Sequence, residues 1–262
     1  MQKLIDDLRL SRKFLLVGVL ALVMLAVPLG LVLSTGLASL SRSATALSGV
    51  APAVAVAQEI QLMQQHRGQA ANVLSGNEAA RAPREALQAR SIEAMQAQLS
   101  AAQAYGNAPI EQRVRKMQAD WAQLTQAVGQ RSIDTAESFR RHSALIDEQL
   151  DILRALVDSA GLALLPQPSG HYLVVAALDY LPRLSEALGQ ARAAGVALLN
   201  GGQADPAGQA RVGALVNAAR LYDRHAQGAL ALAMADSAVA QQALAAPATN
   251  AQKVAAEAFQ MV

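Results

Sequence analysis

The side chain that stands out for its chemistry is Arg67. An apolar stripe of Val56, Ile60, Met63, Ala70 and Leu74 repeats at three-four spacing, and Arg67 occupies the seam position between Met63 and Ala70. A guanidinium drawn into such a seam needs a partner. One reading is that its planar fork holds an anionic ligand, a carboxylate or an oxyanion, through two parallel hydrogen bonds. The other is an internal salt bridge to a carboxylate on a facing helix, such as Asp158 or Asp179, or an arginine that snorkels out of the seam. Arg192, near the edge of a later apolar face, is a candidate second clamp. Tyr172 is read either as a packing group, like Tyr180 eight residues on, or as a third ligand contact. The candidate ligand-binding set is therefore Arg67, Arg192 and Tyr172.

Other chemistries find no support in the residue patterns. The four histidines are dispersed with no i, i+4 pair, so no metal site is expected, and His66 and His171 read as ordinary polar contacts that bring pH sensitivity only where half-buried. Cysteine is absent, which removes thiolate ligands, disulfides and cysteine catalysis. There is no H-E-x-x-H, P-loop, G-x-S-x-G or dinucleotide fingerprint. The chain reads as a non-enzyme with no catalytic residues and no cofactor. A net charge of +2 with interspersed signs excludes the electrostatic footprint of a nucleic-acid binder.

The elements that would position these residues are helices. Hydrophobic residues make up 53% of the 262 but aromatics only 3%, and a composition rich in Ala, Leu and Gln favours helix over sheet. Helical periodicity predicts segments from about 37–74, from about 79 to Tyr105 (stripe Leu87, Ile92, Met95, Leu99), and from Pro109 (stripe Ile110, Val114, Met117, Trp121, Leu124, Val128). Further segments are expected over 133–163 (Phe139, Ser143, Ile146, Leu150, Leu153, Val157, Ala160) and 171–200 (Ala177, Leu181, Leu184, Leu188, Ala191, Gly195, Leu198). A last one opens at an Asp205-Pro206 cap with Val212, Leu215, Ala219, Tyr222, Ala226 and Ala229 inward; Pro247 interrupts it, and Thr249 with Gln252 caps a restart. Gly76, Gly106, Gly129 and Gly201-Gly202 fall at the breaks. The expected fold is all-α: a long transmembrane helix continuing into an antiparallel extracytoplasmic bundle, as one body or two stacked modules. Its seams of Ala, Gly and Ser bury modest apolar area per residue, which homodimerisation would supplement.

The membrane helix is expected over 14–34. FLLVGVLALVMLAVPLGLVL carries no charge and has the length a helix needs to cross the hydrocarbon core, and Pro28 is tolerated in such a span. Lys3, Arg9, Arg12 and Lys13 precede it, so the positive-inside bias puts residues 1–13 in the cytoplasm and 35–262 in the periplasm as a helical-bundle sensor domain. A cleaved signal peptide is the rival reading, but the apolar run is too long and ends well before the small-residue stretch Ala44-Thr45-Ala46.

Two stretches resemble the extracytoplasmic sensor regions of methyl-accepting chemotaxis proteins. The first is Gln61-Leu62-Met63-Gln64-Gln65-His66-Arg67-Gly68 with Val73-Leu74-Ser75-Gly76-Asn77, similar to a Q-x-H-R-G and L-x-G-N pattern. The second runs from Gly161-Leu162-Ala163-Leu164-Leu165-Pro166 through His171-Tyr172-Leu173 to Leu181-Pro182-Arg183-Leu184-Ser185-Glu186-Ala187-Leu188-Gly189-Gln190-Ala191-Arg192-Ala193-Ala194-Gly195. It is similar to the family's L-L-L-D-P, S-Y-Y-L-M and L-P-x-L-x-E-x-L-G-x-x-R-x-x-G run, departing from it at Leu165, Gln167 and His171. The plan also resembles the nitrate- and nitrite-sensing helical domain, whose outgoing helix carries a similar Arg-Gly step, and a two-module helical sensor of organic acids.

The resemblance implies the ligand-sensing input region of a bacterial inner-membrane chemoreceptor, a homodimer that takes a small anionic ligand or a periplasmic binding protein and passes a small helix displacement across the membrane. In that family a second span and a cytoplasmic signalling region follow, so the chain reads as truncated before the second span. The alternatives are an envelope-anchored helical adaptor and the sensor region of a membrane histidine kinase or diguanylate cyclase.

Overall fold

The computed structural model describes residues 10–200 and 206–260. It is all-α, with no strand among the described residues. In chain order the helices are α1 (Leu10–Leu74), α2 (Arg81–Tyr105), α3 (Ala108–Gly129), α4 (Thr135–Ser159), α5 (Pro168–Val175), α6 (Leu181–Asn200), α7 (Pro206–Asp236) and α8 (Ala238–Gln260). Short 3₁₀ turns at Glu78–Ala80 and Leu162–Leu164 and a π-helical segment at Ala176–Tyr180 join some of them. The expected Asp205 cap and Gly201-Gly202 break lie outside the described residues.

The chain divides into two units at Thr45. In the first, large apolar side chains from Phe14 to Leu33 are exposed, and this part of α1 is long and apolar enough to cross a membrane. That pattern suggests membrane anchoring.

In the second unit, local chemistry sets the helix ends. Gly76 (φ +93°) and Gly106 (φ +78°) take the left-handed conformation that closes α1 and α2. The Asn107 side chain accepts from the Ile110 N–H (3.3 Å) and the Asp134 side chain from the Glu137 N–H (2.7 Å), capping α3 and α4. The main core lies among α1 to α4, where all six expected residues of α3, from Ile110 to Val128, are buried with Val56, Ile60, Met63, Ile146 and Leu153. A smaller cluster joins α6, α7 and α8 through Leu184, Ala187, Ala219, Tyr222 and Phe259.

Several expectations are corrected. On α2 Leu87 and Met95 are buried, but Ile92 is exposed and Arg84, Ser91 and Gln98 turn inward instead. On α4 the buried face is centred on Ser138, His142, Ile146, Gln149 and Leu153, which leaves Phe139 and Ser143 at its edge. Periodicity counts apolar residues, whereas here polar side chains that find hydrogen-bond partners, Arg84 with Gln88, Ser91 with Glu59 and Gln98 with Gln149, occupy core positions. The fourth helix also ends at Ser159, four residues early, because Gly161 (φ +67°) reverses the chain. Pro247 does not break the last segment: α8 runs through it, Thr249 Oγ1 donates back to the Ala245 carbonyl (2.9 Å), and Ala248 and Ala255 are buried. The break falls at Ser237, whose hydroxyl accepts from the Ala240 N–H (3.3 Å).

Gly49 marks the closest approach of α1 to the end of α4, since a Cβ there would overlap that of Ala160. Gly→Ala inside a helix ordinarily stabilises by about 1 kcal/mol. Here the overlap is with a short, fixed side chain, so Gly49→Ala is expected to destabilise the fold by about 1–3 kcal/mol in chemical denaturation followed by circular dichroism.

Candidate functional site

Arg67 is 4% exposed, and its partner is Glu186 of α6. The expected internal partners are not used: Asp158 is exposed, and Asp179 binds Arg183 at 2.6 Å. Arg67 Nη1 donates to Glu186 Oε1 (2.6 Å) and Nη2 to Oε2 (3.0 Å), a two-pronged pair with both partners buried. Nη1 also donates to Ser143 Oγ (2.8 Å), and the guanidinium lies over the Phe139 ring at 5.1 Å. The Gln64 amide donates to Glu186 Oε2 (3.1 Å) and the Gln190 amide to Oε1 (2.7 Å), so the carboxylate accepts four hydrogen bonds. Ser185 Oγ donates to Gln64 Oε1 (2.7 Å) and closes the network.

Gly189 makes room for this crossing, and Gly68 lies in ordinary contact distance of a second arginine. A Cβ on Gly189 would lie 2.9 Å from Arg67 Nη2, and one on Gly68 would lie 3.4 Å from Arg192 Nη2. Each helix therefore offers a glycine beneath the other's arginine, and the Arg67-Gly68 step and the Gly189…Arg192 run become two halves of one contact. The register of α6 is set just upstream. Pro182 has no N–H to give to the preceding turn, and the π-helical segment Ala176–Tyr180, closed by the Leu181 N–H on the Ala176 carbonyl, absorbs the mismatch.

Beside the pair is an open groove of ≈1490 Å³, lined by residues that include Gly68, Asn72, Phe139, Ser143, Asp147, Gln190, Arg192 and Arg211. Phe139, Ser143 and Gln190 contact the Arg67–Glu186 pair on one side and line the groove on the other. Arg140, also on the wall, is engaged by Glu137 (2.6 Å). Arg192 and Arg211 form no ion pair among the described residues. Burial, followed by the nearby Glu186 and Asp151 carboxylates, raises the Asp147 pKa, while Arg67 and Arg183 oppose the shift. Of the three candidate residues, Arg192 lines the groove and Arg67 stands behind its wall. Tyr172 is not among the lining residues; it is half-buried on α5 with its ring 5.5 Å from that of His171.

Behind Arg67, the core holds further polar groups, among them His66, which the sequence pattern reads as an ordinary contact. His66 and His142 are fully buried, with His66 Nδ1 and His142 Nε2 2.9 Å apart. The Ser138 carbonyl lies 2.7 Å from His142 Nδ1 and requires a proton there, so in the neutral pair His66 Nδ1 is the donor to His142 and His66 Nε2 carries a bare lone pair. Trp121 packs edge-on against His66 (4.8 Å) and His142 (5.7 Å). Burial, reinforced by His142 and Arg84, drives the His66 pKa down to about 3. Burial also takes His142 down to about 4, against the Ser138 carbonyl and aided by Arg67. Lower on α1, burial pushes the Glu59 carboxyl up to about 8, although Ser91 Oγ donates to its Oε1; Oε2 has no partner among the described residues. The four-residue spacing that hides the His142–Ser138 contact is legible in sequence; the His66–His142 pairing is not.

Residues 60–261 match the protein family described as "Nitrate and nitrite sensing". No curated protein and no solved structure matches the chain.

Two outcomes test this layer. Arg67→Met alone strands a buried carboxylate and is expected to cost about 3–5 kcal/mol, whereas Arg67→Met with Glu186→Leu recovers most of that loss in the same denaturation measurement. The histidines, with depressed values, contribute stability that is full above the ordinary 6.5 and falls as pH drops toward 4 and 3. Glu59, with a raised value, contributes stability that is full below the ordinary 4.5 and falls as pH rises toward 8. In thermal unfolding scanned over pH, Glu59→Gln is therefore expected to flatten the decline between pH 6.5 and 8 and to leave the acid-side decline in place.

Proposed function

Because the chain belongs to the nitrate and nitrite sensing family, we propose that it is the ligand-sensing input region of a bacterial transmembrane receptor that binds a small oxyanion in the groove between α1, α4 and α6. The observation that carries this reading is the crossing of α1 and α6, where Gly189 lies against Arg67 and Gly68 against Arg192, beside the groove that Gly68 and Arg192 line. Guanidinium groups suit planar anions because they offer parallel N–H donors in the spacing of two oxygens. Arg192 and Arg211, which form no ion pair among the described residues, supply positive charge on a wall that also carries Asp147, and the Ser143 hydroxyl and Gln190 amide supply neutral donors.

The receptor is of the chemotaxis type, anchored in the inner membrane by residues 14–34, with residues 1–13 in the cytoplasm and 35–262 in the periplasm. It works as a homodimer, and the signal is a small displacement of α1. The exposed apolar segment of α1 and the four basic residues before it support this placement.

Calorimetric titration of the full chain in lipid nanodiscs with sodium nitrate or nitrite, at ionic strength held by sodium chloride, tests the reading. The parent is expected to bind, and Arg192→Ala to bind about tenfold more weakly or worse, the effect of losing one charge-assisted contact. An Arg192→Ala variant that binds as tightly as the parent contradicts the site.

A further inference from the structure

We propose that Glu186 is a resident competitor for the oxyanion, so that a ligand gains Arg67 only by taking the place of the Glu186 carboxylate. This rests on the oxyanion reading of the groove. The Glu186 carboxylate presents two coplanar oxygens to Nη1 and Nη2 of Arg67, the same pattern that a planar oxyanion would present. A third Arg67 contact goes to Ser143 Oγ, and Gly189 lies against Nη2. An anion in the groove reaches the Arg67 fork through exchange.

The groups around the carboxylate fit such an exchange. Gln64 and Gln190 hold it through neutral amides, which serve one anion as well as another, and Gln190 and Ser143 already face the groove. Arg192, whose guanidinium lies over Gly68, adds a second cation that Glu186 does not use and an incoming anion can. The displaced carboxylate has a destination on its own helix: Arg183 lies one turn back, half-buried and held by Asp179. Asp147 feels Glu186, Arg67 and Arg183 together, so the three belong to one electrostatic neighbourhood.

Exchange also gives the ligand a differential grip on two states, without which binding shifts no equilibrium. In the empty state Arg67 ties α1 to α6. In the occupied state the anion holds Arg67 and Arg192, and Glu186 no longer bridges the helices. The π-helical segment Ala176–Tyr180, six residues before Glu186, is a place where α6 can change register.

The test is calorimetric titration of the full chain in nanodiscs with sodium nitrate, comparing the parent with Glu186→Gln and Glu186→Asp. Gln keeps the shape and loses the charge; Asp keeps the charge and withdraws it by one methylene. Both are expected to bind nitrate at least several-fold more tightly than the parent, and circular dichroism checks that each is folded. If Gln does not fold, Asp alone decides. Affinity equal to or weaker than the parent's in the folded variants overturns the competitor role and leaves the oxyanion site standing. Absence of nitrate binding in the parent and both variants overturns the oxyanion reading itself, and the exchange with it.

Discussion

Beyond Thr45 the contact of α1 with α6 centres on one buried ion pair. Arg67 and Glu186 join the main apolar core among α1 to α4 to the smaller cluster of α6 to α8, and each is almost entirely withdrawn from water. Two charges so placed cost several kcal/mol each in lost hydration and are retained only when geometry and further hydrogen bonds compensate. Here the compensation is complete on the carboxylate, with four donors, and Gly189 leaves space for the Arg67 guanidinium. An apolar pair would hold the helices together at lower electrostatic cost. What the ion pair adds, under the proposed exchange, is an interface that responds to a third charge.

The rest of the polar interior follows the same logic. The His66–His142 pair, the Gln98–Gln149 amides (2.9 and 3.2 Å) and the Glu59–Ser91 contact each fill core positions with groups that hydrogen-bond one another, while His66 Nε2 and Glu59 Oε2 are left without a partner among the described residues. With seams of alanine and small residues, the bundle buries less apolar surface per helix than one built on leucine, and specific polar pairs take over part of the task of fixing register. They do so while remaining largely neutral: burial holds both imidazoles deprotonated near neutral pH and the Glu59 carboxyl protonated. Charge in the interior is thereby concentrated at Arg67, Arg84 and Glu186.

This arrangement explains which features were legible in the sequence. The stripe of α3 is purely apolar, and every residue of it is buried as periodicity requires. The stripe of α4 is mixed, and helical periodicity alone puts Phe139 and Ser143 in the core, whereas His142 and Gln149 take those positions because partners on α1 and α2 meet them. Arg67 was visible as a charge in an apolar seam. Its partner was not, because one carboxylate on a helix looks like any other until the facing helix is known. The signal that could have found Glu186 is the glycine three residues later: on a helix of good formers, Gly189 reserves space for something large from across the interface.

The two motif stretches that resemble chemoreceptor sensors thus acquire a physical meaning as opposite sides of one contact, beside which the proposed oxyanion site lies. Its most direct test is the structure of the chain determined with nitrate bound. The expected result is a planar anion between Arg67 and Arg192, with the Glu186 carboxylate turned out of the Arg67 fork. Nitrate bound elsewhere, with the Arg67–Glu186 pair intact, would contradict it.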